Sequence, residues 1–223
     1  DNLKKVIKPL SLTGSSGIGH TRWATHGEPN KKNAHPHPAS QMKMVIVHNG
    51  IIENFSEIKR KLTKEGFIFR SETDTEVIIN LVERHYKGNL LEAIEKAVND
   101  IEGSYAFAII SETDPDTIYA VKKDSPLILG IGENENFIAS DINAIMPHTK
   151  SIIYLDDNEI AKIEKNRYYI KKIGGTEIQK PINVLKWDVT DTEKNGYDHY
   201  MLKEIYEQPA VIRRILKKMA KKN

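Results

Sequence analysis

The residue pattern predicts an α+β layered domain of mostly antiparallel sheets covered by helices, and three observations lead there. An apolar, strand-like run comes early, at residues 42–47. Segments with helical spacing follow it directly. From Tyr105 onward the period shortens to brief apolar runs separated by turn residues.

Taken in order, residues 20–38, HTRWATHGEPNKKNAHPHP, show neither period. Gly27, Pro29, Pro36 and Pro38 break any helix there, so a loop is expected, either a solvated connection or the wall of a binding site. QMKMVIVHNG then reads as a buried strand running into a turn at Asn49 and Gly50, where glycine permits positive φ. Phe55, Ile58 and Leu62 space one helix up to Gly66. Val77, Ile78, Leu81 and Val82 space a second, ending near Gly88, and Leu91, Ile94, Ala97, Val98 and Ile101 a third before Gly103. YAFAII, TIYAV, LILGI, NFIAS, SIIYL, EIAKIE and RYYIKKI are the later strands, with Asp114-Pro115 and Gly174-Gly175 among the turns. The polar stretch DVTDTEKNGYDHY links this body to a last helix, expected over residues 204–222. Ile212, Ile215 and Met219 would form its packed face and the basic side chains of IRRILKKMAKK its solvated one.

Composition excludes several classes of function. Lys+Arg 33 against Asp+Glu 31 leaves a net charge of +2, so no overall field draws the chain to nucleic acid or to a membrane surface. The basic run near the end would suit a nucleic-acid module only with weak, steeply salt-dependent binding. The apolar runs are too short to span a bilayer and no charged-then-apolar leader opens the chain, so a cytoplasmic protein is expected. With no cysteine, these residues hold no disulfide, thiolate metal site or thiol nucleophile. Asp1 is not an initiating residue and the first methionine is Met42. The last helix stops at KKMAKKN without a capping glycine or proline, so both ends are expected to be cut.

Four residues carry convergent chemistry. Arg22 offers a fork for a carboxylate and Asp74 an acceptor for an ammonium group, a pair that suits a zwitterion. The Asn49 side-chain amide and the Gly50 N–H, directly after a strand, suit a developing oxyanion. This is the equipment of acyl transfer without its nucleophile. Plainer readings stand beside it: Arg22 as a surface ion-pair partner, Thr73 capping a helix with Glu76 in the reciprocal position while Asp74 favours the dipole, Asn-Gly as a turn, Trp23 as core. His26, His35, His37 and His48 are close in sequence, but His-Pro-His spacing lacks helical ligand geometry, and no nearby carboxylate or cysteine completes a ligand set. Neutral, hydrogen-bonded histidines and no metal are expected.

In combination, HTRWATHG, VIVHNGIIEN, SETDTEVI, GSYAFAII, ENFIASD and HYMLKEIYEQP resemble the glutaminase domain of the class II glutamine amidotransferases, in the branch that aminates fructose 6-phosphate. The resemblance runs through nearly the whole chain. It implies an N-terminal-nucleophile hydrolase fold, an αββα sandwich of two antiparallel sheets, lacking here its first strand. It implies that Arg22, assisted by Thr25 and His26, takes the α-carboxylate of glutamine, that Asp74 holds the α-ammonium, and that Asn49 and Gly50 form the oxyanion hole. Trp23 would stand at the wall through which ammonia leaves. No cofactor is implied. The family's nucleophile is an N-terminal cysteine whose own α-amino group acts as base, and these residues lack it. Residues 1–196 are therefore expected to be an N-terminally truncated amidotransferase domain, and 197–223 a linker helix toward a sugar-isomerising domain that binds fructose 6-phosphate in a homo-oligomeric parent. A non-catalytic glutamine-binding or regulatory module is the rival reading, and the sequence upstream of Asp1 discriminates between them.

Overall fold

In the computed structural model of the chain, residues 2–8, 10, 14–22, 27–41, 44–186, 194 and 196–220 are described. Their elements are α1 (Asn2–Ile7), a 3-10 turn (Lys31–Asn33), β1 (His37–Pro38), β2 (Met44–Ile52), α2 (Phe55–Lys64), α3 (Thr75–His85), α4 (Leu90–Asp100), β3 (Gly103–Ser111), β4 (Asp114–Lys123), β5 (Ile128–Ile131), β6 (Asn136–Ala139), α5 (Ile142–Ile145), β7 (Ser151–Tyr154), β8 (Glu159–Ile163), β9 (Tyr168–Lys172), β10 (Asn183–Val184) and α6 (Tyr200–Ala220). One antiparallel sheet runs β1-β2-β3-β4-β8-β9 and a second runs β10-β7-β5-β6.

Three apolar clusters stack through the layers. The first fills the space between α2, α3 and α4 and the outer face of the larger sheet, where Ile58 and Leu62, Ile78 and Val82, and Ile94 and Val98 meet Ile46, Phe107 and Val121. These are the helical-spacing residues of the sequence, each placed on one stripe. The second lies between the sheets. There the larger sheet presents Ala106, Ala120 and Ala161, small enough for Leu127, Leu129, Ile153 and Leu155 of the facing layer to pack close. The third joins Ile145 and Met146 to Ile128, Ile152 and Leu185. This is the expected order of helix, sheet, sheet and helix, although the last layer is thin, since α5 has only 4 residues.

The expected turn at Asn49 and Gly50 is not there. β2 passes straight through both residues and pairs with β3 as far as Ile52, opposite Gly103. The chain turns at Glu53 and Asn54 instead, where Asn54 donates to the Asp100 carbonyl and accepts from the Glu102 N–H. Gly50 and Gly103 permit this long pairing. Both have positive φ (126° and 121°), and a methyl group on either would overlap a backbone oxygen of the opposite strand, that of Ser104 or of Ile51.

Other boundaries differ as well. The β3–β4 turn falls at Glu112 and Thr113, while Asp114 and Pro115 begin β4; the pairing of β4 with β8 starts only at Ile118, so the missing proline N–H removes no bond from that ladder. The loop expected over 20–38 contains a 3-10 turn, capped by the Asn30 side chain accepting from Asn33 N–H, and the short strand β1. The last helix begins at Tyr200, and the expected packing of Ile212, Ile215 and Met219 is absent: they are 55%, 50% and 63% exposed. No helix among the described residues is long and apolar enough to cross a membrane.

Gly103→Ala, which lies outside the site, is expected to lower the unfolding free energy by about 2 kcal/mol or more, a fall of roughly 5 °C in Tm. Calorimetric melting checks this, and a melting temperature equal to that of the parent chain would contradict the close-approach argument.

Candidate active site

Three elements deliver the candidate residues. Asn49 is on β2, half-buried, with its neighbour His48 buried on the helix side of the sheet. Asp74 stands at the N-terminus of α3 and is almost fully buried. Arg22 belongs to the opening loop, outside any regular element. Trp23, Thr25 and His26 lie outside the described residues.

Arg22 takes a left-handed backbone conformation, φ 56°, which a residue with a side chain adopts at a cost of about 1–3 kcal/mol. Its N–H donates to Nδ1 of His20 at 2.8 Å, and its guanidinium donates to the Gly27 carbonyl at 3.4 Å. The other ring nitrogen of His20 is 2.6 Å from Oδ1 of Asn49. Arg22 and Asn49 are thereby joined through one imidazole. His20 and Asn49 border a cleft of about 140 Å³ lined also by Gly17, Gly19, Ile138 and Ala139, between residues 17–20 and β6, the edge strand of the smaller sheet; Arg22 does not line it. A larger groove, about 480 Å³, opens at the other end of β2 beside Ser15 and Asp116, which bond to each other at 2.6 Å; it gathers none of these groups.

Asp74, expected beside a Thr73 cap, itself takes the N-cap position of α3. Its side chain makes no capping bond; Oδ2 accepts instead from the Ile52 N–H at 2.8 Å, three residues beyond Asn49. The Thr73–Glu76 capping box is absent for a similar reason. The buried Glu76 carboxylate accepts from the N–H groups of Arg70 and Ser71 and from the Ser71 hydroxyl, and Thr73 Oγ1 is 3.2 Å from Nε2 of His37. Asn33, fully buried, accepts from the Glu72 N–H and donates to the Glu28 carbonyl, which ties the opening loop to the start of α3.

Histidines fill the space between these groups. His20 stacks on His35 with centroids 4.3 Å apart, and His35 meets His37 edge-on at 4.7 Å. His35 Nδ1 accepts from the His48 N–H, and His48 Nδ1 is 3.1 Å from Thr75 Oγ1. Burial first, then the repulsion a protonated His35 would meet from protons on the neighbouring His20 and His37 rings, push His35 down to about 3. Burial pushes His48 down to about 4 against the opposing charge of Asp74, and His37 is also lowered chiefly by burial. Arg22 and Asp74 act on His37 in opposite senses, Arg22 lowering and Asp74 raising it. Sequence reading expected these histidines to be neutral and hydrogen-bonded but attached no role to His20 or Asn33; the signal for Asn33 was the loop-breaking run it sits in.

The chain was compared with known proteins. Residues 10–198 match the family model described as a glutamine amidotransferase domain. This chain belongs to the glutamine amidotransferase domain family. Among curated relatives, it is 50% identical over 212 residues to a glutamine–fructose-6-phosphate aminotransferase (isomerizing) of Clostridium acetobutylicum, covering 95% of this chain and 35% of that protein. To the protein of the same name from Aquifex aeolicus it is 50% identical, covering 96% of this chain and 37% of that one. The amidotransferase domain thus spans about a third of the length of these relatives. Among solved structures, glutamine phosphoribosylpyrophosphate amidotransferase from B. subtilis superposes with a TM-score of 0.59 at 22% identity, covering 69% of this chain and 34% of that one. A second, described as the allosteric regulatory enzyme of purine biosynthesis, gives 0.60 at 23%, with the same two coverages, 69% and 34%. Both share the N-terminal-nucleophile hydrolase fold of this amidotransferase domain, two antiparallel sheets between helices.

The histidine layer makes stability depend on pH. A histidine whose folded value is depressed binds its proton only after unfolding, so stability is complete above 6.5 and falls as pH drops from there toward 4. Urea unfolding between pH 7.5 and 5 is expected to show a falling midpoint in the parent chain and a flatter dependence in His35→Asn; equal slopes would remove His35 from this account.

Proposed function

We propose that this chain is the glutamine-binding and amide-polarising part of a glutaminase that supplies ammonia to fructose 6-phosphate, giving glucosamine 6-phosphate and glutamate. The observation that carries the reading is the hydrogen-bonded line from the Arg22 backbone through His20 to Asn49 at the mouth of one cleft. Chemistry supports the assignment of roles. The Arg22 fork takes the α-carboxylate, helped by Thr25 and His26, and Asp74 takes the α-ammonium. The γ-carbonyl then faces Asn49 and Gly50.

The attacking thiol comes from outside these residues, which contain no cysteine. As the resemblance implies, it belongs to an N-terminal cysteine heading a strand. Edge strand β6 supports this, because an edge has backbone groups available for one more strand and lies against the cleft. The cysteine's own α-amino group takes the thiol proton, and sulfur adds to the side-chain amide carbonyl carbon, Cδ, so negative charge moves onto the oxygen held by Asn49 and Gly50. Collapse breaks the carbon–nitrogen bond, the proton passes to nitrogen, and ammonia leaves past Trp23. Water then hydrolyses the glutamyl thioester to glutamate and restores the thiol. No cofactor takes part. Residues 197–223 lead toward a sugar-isomerising domain that binds fructose 6-phosphate, which the names and lengths of the relatives support, and the whole is proposed to be a cytoplasmic homo-oligomer.

The test is steady-state kinetics on the full-length protein containing this chain. Arg22→Lys is expected to weaken glutamine binding by about 1–3 kcal/mol, seen in KM, because one point charge replaces a bidentate fork. Asn49→Ala is expected to lower kcat for glutamine hydrolysis about 100-fold or more, with little change in affinity for an unreactive glutamine analogue. Reversed effects would exchange the two roles. A full-length protein that binds glutamine without hydrolysing it would make this a regulatory module.

A further inference from the structure

We propose that His20 is a positioning residue for Asn49, fixing which end of its side-chain amide faces the cleft. The proposal rests on Asn49 being the oxyanion donor. An asparagine amide has nearly the same shape after a half-turn about its last torsion, yet only one orientation presents N–H groups. On an open strand face nothing in the shape of the residue selects that orientation. A neighbour must.

The selection follows from ring chemistry. Nδ1 of His20 is 2.8 Å from the Arg22 backbone nitrogen, which has only a proton to give. Nδ1 is therefore the acceptor, and the proton of the neutral ring sits on Nε2. Nε2 then donates across 2.6 Å to the Asn49 side chain, so the atom it meets is the carbonyl oxygen. A flipped amide would set donor against donor. The Asn49 amide N–H groups are left to point away from the imidazole, which is what polarising a substrate carbonyl requires.

One further contact holds the ring. His20 lies nearly parallel to His35, 19° between the planes, and His35 is itself fixed by accepting the His48 N–H and by its edge contact with His37. Burial keeps His35 neutral, so no cation presses on the face of His20 from that side. The same ring braces the left-handed backbone of Arg22. One imidazole thus sets the register between the group proposed to hold the substrate carboxylate and the group proposed to polarise its amide.

Two amide substitutions separate the two ring nitrogens. In His20→Asn the short side-chain oxygen still accepts from the N–H two residues on, as in an Asx turn, but no donor reaches Asn49. In His20→Gln the longer amide nitrogen reaches the position of Nε2. Both are made in the full-length protein, with and without Asn49→Ala, and glutamate release is measured at varied glutamine.

His20→Asn is expected to lower kcat about tenfold or more with KM within about twofold, His20→Gln to recover most of that loss, and His20→Asn to add nothing in the Asn49→Ala background. An undiminished kcat in His20→Asn, or losses that multiply in the double variant, would overturn the proposal. If His20→Asn does not fold, His20→Gln decides: a kcat as low as that of Asn49→Ala overturns the proposal and a clearly higher one supports it. Failure of the functional reading looks different, since a wild-type protein that hydrolyses no glutamine removes both.

Discussion

Nine consecutive pairs between β2 and β3, from Met44 opposite Ser111 to Ile52 opposite Gly103, hold the geometry on which the site depends. Had the chain turned at Asn49 and Gly50, Asn49 would sit on a solvated loop and the Ile52 N–H would not reach Asp74. Because the strand continues, alternation puts His48 toward the helices and Asn49 toward the cleft. The start of α3 is pinned to the strand end by one carboxylate hydrogen bond. Gly50 and Gly103 are the local condition for this, since each stands where the opposite backbone leaves no room for a side chain. Loss of side-chain packing at two strand positions is offset by the exactness of placement that a rigid sheet confers on Asn49.

Around that strand the protein buries an unusual share of polar chemistry. Ser71, Thr73, Asp74, Thr75, Glu76, His37 and His48 are all buried at the junction of β1, β2 and α3. Burying such groups costs free energy unless each is bonded, and most are: Glu76 takes three donors, Asp74 takes the Ile52 N–H, and Thr75 meets His48. His48 Nε2 finds no partner among the described residues. Desolvation lowers His37 and His48, while the Glu76 and Asp74 carboxylates raise His37 and the Arg22 guanidinium lowers it, so two carboxylates and one cation act in this layer. With three donors already on Glu76, Asp74 and Arg22 are the charges proposed to meet a zwitterionic substrate.

Much of this was legible in the sequence because it depends on local period or on residue chemistry. The apolar stripes of α2, α3 and α4 and the short strands from Tyr105 onward came directly from spacing, since burial of one face is what those periods encode. Arg22, Asn49, Gly50 and Asp74 could be singled out by what their side chains and backbone are able to bind. The misread features were non-local. Asn-Gly is a turn by local preference, and it becomes strand only because a partner strand some 55 residues later supplies a ladder. The Thr73–Glu76 capping pattern was overridden because Arg70 and Ser71 offer Glu76 better donors once the loop folds back. The part played by His20 depends on a tautomer, and a tautomer is set by two partners whose positions no sequence window contains.

The last helix obeys a different balance. α6 buries only Lys203 among its described side chains, whereas Met201, Ile205, Ile212, Ile215 and Met219 are each at least half exposed. Their spacing of four, seven, three and four residues places them along one side, so they form a stripe and not a scatter. A long helix is only marginally stable from propensity alone, and here the domain body supplies almost no apolar packing in return. Contiguous exposed apolar surface of this sort is the kind that marks protein–protein contact surfaces in general. Its apolar stripe and its position after the amidotransferase domain accord with the proposed role of residues 197–223 as the connection to a sugar-isomerising partner domain. On that proposed role, the basic residues of IRRILKKMAKK have a simpler explanation than nucleic acid: they form the solvated side of the helix.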